Sequence, residues 1–114
     1  MPRTVLVVDD SAAFRATARV LLGARGYEVV GAADSVAAGL AAAAELKPDC
    51  VLLDVNLPDG DGLSAAGAFE AHVVLGSTLD AEELGDALNG SGARGFLTKA
   101  QLASPRLVEL LGPP

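Results

Sequence analysis

A single cysteine, Cys50, leaves this 114-residue chain without any internal disulfide, and a reducing cytosol is the expected compartment. Bases are scarce as well. Lys47 and Lys99 join six arginines against fifteen acidic residues, for a net charge of −7. No basic stripe is available to grip nucleic acid, so direct nucleic-acid binding by this chain is set aside. Met1-Pro2-Arg3 leads into only four apolar residues before two acids, too short a run for a signal sequence. No stretch approaches a membrane span, and no membrane association is expected. Internal repeats are missing, and no linker interrupts the chain before Gly112. What is present is a half-apolar composition, 51%, and enough length to bury a core without covalent staples. Residues 1–114 are therefore expected to form one domain.

The stretch around which the rest is arranged runs from Val51 to Gly62, Val-Leu-Leu-Asp-Val-Asn-Leu-Pro-Asp-Gly-Asp-Gly. An apolar run cut off by an acid and then by proline and glycine reads as a buried strand surfacing into a loop, with Asp54 delivered to solvent. Val5 to Val8 is a second such strand and ends in Asp9-Asp10. Carboxylates gathered on neighbouring strand ends repel one another unless protons or a cation intervene. A hard divalent metal is the economical answer.

Taken in order, Val5–Val8 is strand one, with Asp9, Asp10 or Ser11 as candidate caps for a helix from Ala12 to Arg25 that Gly26 ends. In that helix Phe14, Ala18, Leu21 and Leu22 recur at helical spacing. Tyr27 to Gly31 is a short strand. Asp34 or Ser35 then caps an alanine-rich helix closed by Pro48, whose small residues allow it to lie close on a sheet. After the Asp54 loop comes a short helix from about Ser64 to Ala71, then a fourth strand from His72 that ends at Gly76-Ser77-Thr78. Asp80 caps a helix through Glu82, Leu84 and Leu88, and the loop Asn89 to Gly95 leads to a fifth strand, Gly95-Phe-Leu-Thr, ending at Lys99. Ser104-Pro105 opens a final helix of about two turns.

Strand and helix alternate five times. That pattern predicts an α/β fold, a doubly wound five-stranded parallel sheet of order 2-1-3-4-5, flavodoxin-like, with a shortened third helix. Its ligand crevice lies at the carboxyl edge, between strands one and three. Asp9, Asp10, Asp54, Ser77 and Lys99 all fall on that edge.

In this combination the chain resembles the receiver domain of two-component response regulators, of the chemotaxis-regulator type. The resemblance covers Val5 to about Leu111. It rests on Asp9-Asp10 after strand one, Asp54 with Pro58 and Asp61-Gly62 after strand three, Ser77 after strand four, and Lys99 after strand five. It implies a phosphoacceptor signalling domain, not an enzyme in its own right. Asp54 would take a phosphoryl group from a sensor histidine kinase or phosphotransfer protein. Mg2+ would be held by Asp9, Asp10, Asp54 and the backbone carbonyl of Asn56. Lys99 would neutralise phosphoryl oxygens and Ser77, with Thr78 in reserve, would donate a hydrogen bond. Phosphoryl transfer needs mainly positioning and charge neutralisation, and an ionised carboxylate is already a nucleophile. The resemblance further implies a switch in which Ser77 moves and Phe96 repacks, altering a face for a downstream protein target, a fused effector domain or a second copy of the chain.

The chain departs from the family pattern in places. Ala100 follows Lys99 where the family often has proline, so no cis peptide is expected there. The third helix is clipped, and the last is short. Other motifs fade: Gly90-Ser-Gly-Ala-Arg-Gly95 matches G-x-G-x-x-G but precedes a strand, the reverse of a dinucleotide loop. Asp54 to Asp61 is no EF-hand, because Pro58 takes a ligand position and no glutamate closes the loop. His72 has no companion ligands, and Cys50 reads as a small core residue. Two other classes stay open. A receiver-like interaction module would work without phosphorylation. An aspartate-nucleophile phosphatase would need an acid two residues after Asp54, where Asn56 stands.

Overall fold

The structure is a computed structural model and describes residues 2–77, 93 and 95–114. Strands β1 (Thr4–Val8), β2 (Glu28–Ala33), β3 (Cys50–Asp54), β4 (His72–Ser77) and β5 (Gly95–Thr98) form one sheet in the order β2-β1-β3-β4-β5. Every pairing is parallel, as the alternation of strands and helices predicts. Helix α1 (Ala12–Ala24) and the C-terminal helix (Arg106–Leu111) meet one face, α2 (Val36–Leu46) and the short α3 (Gly62–Ala65) the other.

Two-residue alternation sorts the side chains. Val5, Val7, Cys50, Leu52, Val74 and Leu97 pack with Ala18, Leu22, Leu107 and Leu111. Leu6, Val8, Val51, Leu53, Val73 and Leu75 pack with Ala66 and Phe69 on the opposite face. Because β1 and β3 are buried on both sides, they read as unbroken apolar runs. The same alternation carries beyond the core. Asp9 follows Val5 and Val7, Asp54 follows Cys50 and Leu52, and Lys99 follows Leu97, so all three fall on the α1 face. Ser77 falls with Leu75 and Phe96 on the other.

Ends and joints are fixed by local chemistry. The Phe14 amide donates to Ser11 Oγ at 3.2 Å and the Ala38 amide to Ser35 Oγ at 3.1 Å, so serine caps both long helices. Gly26, with φ +97°, turns the chain after α1. Gly39 lets α2 lie on β1, since a Cβ there would meet both Val8 methyls at 3.0 Å.

Several boundaries differ from those expected. β2 runs on to Ala33, because a register shift between Val5 and Leu6 lets it track β1 for its whole length. Cys50 opens β3 rather than preceding it. The third helix starts at Gly62, where the Leu63 amide donates to Asp61 Oδ1 at 2.8 Å, and gives way to a 3-10 turn over Ala66–Ala68 before Phe69 extends. The last helix begins at Arg106, one residue late, because a 3-10 helix over Lys99–Ala103 takes up the preceding chain. Among the described residues no peptide is cis. Thr78, the Asp80-capped helix and most of the Asn89–Gly95 loop lie outside the described residues.

Thr4 and Asp49 staple the entry to β3 against β1. The Thr4 amide and hydroxyl donate to Asp49 Oδ2 at 2.8 and 3.1 Å, and the Asp49 amide donates to Thr4 Oγ1 at 2.8 Å. Those bonds, the amide first, hold the Asp49 carboxyl below the usual carboxylate range. A depressed carboxyl stabilises the fold above its unfolded pKa and loses that contribution as pH falls through the folded one. Asp49→Ala is therefore expected to cost about 0.5–1 kcal/mol at neutral pH, small because the pair is exposed. Urea titrations at neutral pH and below about pH 3 should show the difference shrinking in acid.

Candidate functional site

The acidic pocket is built where β1, β3 and β5 end. Register aligns Val8 with Leu53, so Asp9 and Asp54 project side by side from the next rung. Asp9 also anchors α1. Its Oδ1 accepts the Ser11 amide at 2.9 Å, and its carbonyl accepts Arg15 Nη1 at 2.7 Å. Asp10 is exposed beside it. Oxygens of Asp9, Asp10 and Asp54 all lie within 4.8 Å of one another.

Lys99 closes the pocket from β5. Its Nζ stands 2.7 Å from Asp9 Oδ2 and 3.5 Å from Asp54 Oδ2. The lysine backbone is set by a capping box, Thr98-x-x-Gln101, in which the Thr98 amide donates to Gln101 Oε1 at 3.0 Å. That motif is readable in the sequence.

Asp54 is not delivered to solvent as expected. It is 5% exposed, because Asp9 and Lys99, from opposite ends of the chain, close over it. Burial first, then the Asp9 charge, pushes its carboxyl above the usual range, against the Asn56 amide at 3.3 Å and Lys99. For Lys99 burial works to lower the pKa, but the hydrogen bond to Asp9 and the Asp54 charge outweigh it and the ammonium is held more tightly than usual. Ser77 is buried at the end of β4, opposite Thr98. Phe96 is half-buried, paired with Leu75 and packed into the α2-side core.

The loop after β3 is tied down by contacts that sequence reading missed. Asn56–Leu57 and Gly60–Asp61 form a small antiparallel ladder. Asp59 accepts the Val36 and Ala37 amides at 2.8 and 3.0 Å, adding a second cap to α2 from outside that helix. No local pattern announces such a contact.

The donor set suits a hard divalent cation. Asp9 Oδ2 is buried, and the Lys99 ammonium at 2.7 Å is its one counter-charge among the described residues. Three carboxylates against one ammonium leave formal negative charge to be met, and exposed Asp10 leaves a side open to the waters that Mg2+ keeps.

Residues 5–111 match the family model described as response regulator receiver domain. The chain belongs to that family. Among relatives of this receiver domain, a protein-glutamate methylesterase/protein-glutamine glutaminase 5 from Myxococcus xanthus is 41% identical over 97% of this chain and 34% of its own length. The transcriptional regulatory protein KdpE from Mycobacterium tuberculosis is 37% identical over 83% of this chain and 43% of its own. The receiver domain thus spans between a third and a half of these curated relatives. Among solved structures, the signal receiver domain of the response regulator NarL from M. tuberculosis superposes with a TM-score of 0.83 at 30% identity, covering 97% of this chain and 98% of that one. A CheX-CheY-BeF3-Mg2+ complex from Borrelia burgdorferi matches with a TM-score of 0.81 at 25% identity, over 96% and 89%. Among the described residues of the receiver domain, no helix is long and apolar enough to cross a membrane.

Proposed function

We propose that residues 1–114 act as a single Mg2+-dependent phosphoacceptor domain in which Asp54 takes a phosphoryl group from a sensor histidine kinase or phosphotransfer protein. The observation that carries this reading is the convergence of Asp9, Asp10, Asp54 and Lys99 in one half-closed pocket. A carboxylate oxygen of Asp54 forms the new O–P bond while the N–P bond of the donor phosphohistidine breaks; the electron pair returns to the imidazole nitrogen, which takes a proton from water. Lys99 faces the oxygens on which charge accumulates. Asp9 and Asp10, with Asp54 and the Asn56 carbonyl, would hold Mg2+, which supplies further charge neutralisation. The presence of Mg2+ and BeF3 in the similar CheX-CheY complex supports this ligand chemistry.

Ser77 and Phe96 share the other sheet face, so movement of the Ser77 hydroxyl toward a phosphorylated Asp54 would alter packing around Phe96. That change would be read by a downstream protein or by a fused effector, of the kind the methylesterase and KdpE relatives suggest. A second copy of the chain is a further candidate reader. Cytoplasmic placement accords with the lone buried thiol. Phosphatase turnover is disfavoured because Asn56 offers no acid to a leaving group.

Incubation with Mg2+ and acetyl phosphate should add the mass of one phosphoryl group, in a base-labile form. Chelation should stop the labelling and Asp54→Asn should abolish it. Labelling that persists in Asp54→Asn would overturn the assignment.

A further inference from the structure

An aromatic ring also meets the lysine at the pocket. Lys99 Nζ lies over the face of the Phe14 ring, 4.6 Å from its centroid. Phe14 stands on the first turn of α1, next to Arg15, which grips the Asp9 carbonyl. Helical spacing makes it a core residue, yet it is only half-buried, while Ala18 and Leu22 on the same face are fully so. Its ring is shared between the core and the lysine.

We propose that Phe14 is a positioning residue for Lys99, its ring face holding the ammonium at the pocket beside Asp54. The inference rests on the phosphoacceptor reading for its purpose, though not for its geometry. Of the three partners around Nζ, both carboxylates belong to the acidic cluster and are suited to engage a cation of their own. An aromatic face is different: its quadrupole attracts the ammonium without neutralising it and does not compete for a metal. An ammonium so held keeps its full charge for phosphoryl oxygens. An aliphatic side chain of similar size would fill the space but leave Lys99 free to swing out, since its side chain is already 20% exposed.

The test compares Phe14→Leu and Phe14→Tyr with the unmodified chain, first without metal by NMR of the Lys99 side chain, then for acetyl phosphate labelling with Mg2+. In the unmodified chain the Lys99 methylene protons nearest Nζ should be shifted upfield by the ring; Phe14→Tyr should keep that shift and Phe14→Leu lose it. Labelling should slow about five-fold in Phe14→Leu, from the loss of one cation–π contact, and stay near normal in Phe14→Tyr. The proposal is overturned if the unmodified chain shows no ring shift, if Phe14→Leu labels at the unmodified rate, or if Phe14→Tyr is as slow as Phe14→Leu. Should no variant and not even the unmodified chain take up phosphoryl groups, the phosphoacceptor reading fails, and the Lys99 shift alone then decides the placement of the ammonium.

Discussion

Replacing Gly62 by alanine is expected to lower stability by at least about 3 kcal/mol and to remove phosphoryl uptake with it. A Cβ at this position would lie 2.9 Å from the Asp54 carbonyl carbon and from Val55 Cα, and closer still to the Asp54 carbonyl oxygen. These are backbone atoms, so no rotamer change clears the space. The Gly62 amide also donates to Val55 O at 2.9 Å, which fixes the start of α3 against the end of β3. Relief therefore has to move either that helix or the peptide that carries the proposed nucleophile. Gly23→Ala serves as the control, because nothing lies within 4 Å of a Cβ there; it should gain up to about 1 kcal/mol from helix propensity. Urea midpoints for the two variants should move in opposite directions, and an unchanged midpoint for Gly62→Ala would refute the close-approach argument.

Gly62 also shows what kind of information a sequence carries about this fold. Its pairing with Asp61 was legible as part of a family pattern, but the reason for the glycine lies in a backbone approach that no local rule expresses. The strands were legible because parallel strands buried on both faces leave uninterrupted apolar runs, and the pocket followed because acids and lysine stand at strand ends. Parity of alternation would even have put Asp9, Asp54 and Lys99 on one face. What stayed hidden depends on residues far apart in the chain. Asp54 looked exposed because its own neighbourhood ends in a turn, whereas its cover comes from β1 and β5. Asp59 looked like one more loop acid, yet it caps α2. Phe14 fitted the helical core stripe so well that its second contact, with Lys99, left no trace in the spacing.

Lys99→Met should separate the structural duty of the amine from its chemical one. Without added Mg2+, the variant is expected to lose about 2 kcal/mol, less than a fully buried broken pair because the lysine retains some exposure. The loss arises because Asp9 and Asp54 remain buried together with no cation between them. Its pH dependence has a definite sign. The Asp54 carboxyl is already held above its ordinary value, and removing the ammonium raises it further. The folded state then keeps a proton that the unfolded chain releases, so stability falls as pH rises from about 4 through the folded value. The deficit of Lys99→Met should accordingly be greatest at neutral pH and shrink in acid. Mg2+ should restore more stability to this variant than to the unmodified chain, since the carboxylates lack any other counter-charge. Labelling by acetyl phosphate should remain about a hundredfold slow even in saturating Mg2+, because the metal does not replace a donor aimed at the phosphoryl oxygens. Combining Lys99→Met with Asp54→Asn completes the cycle: with one carboxylate gone, losing the amine should cost markedly less than it does alone. Equal costs in the two backgrounds would mean that the Lys99–Asp54 proximity carries no coupling, and that the lysine serves Asp9 only.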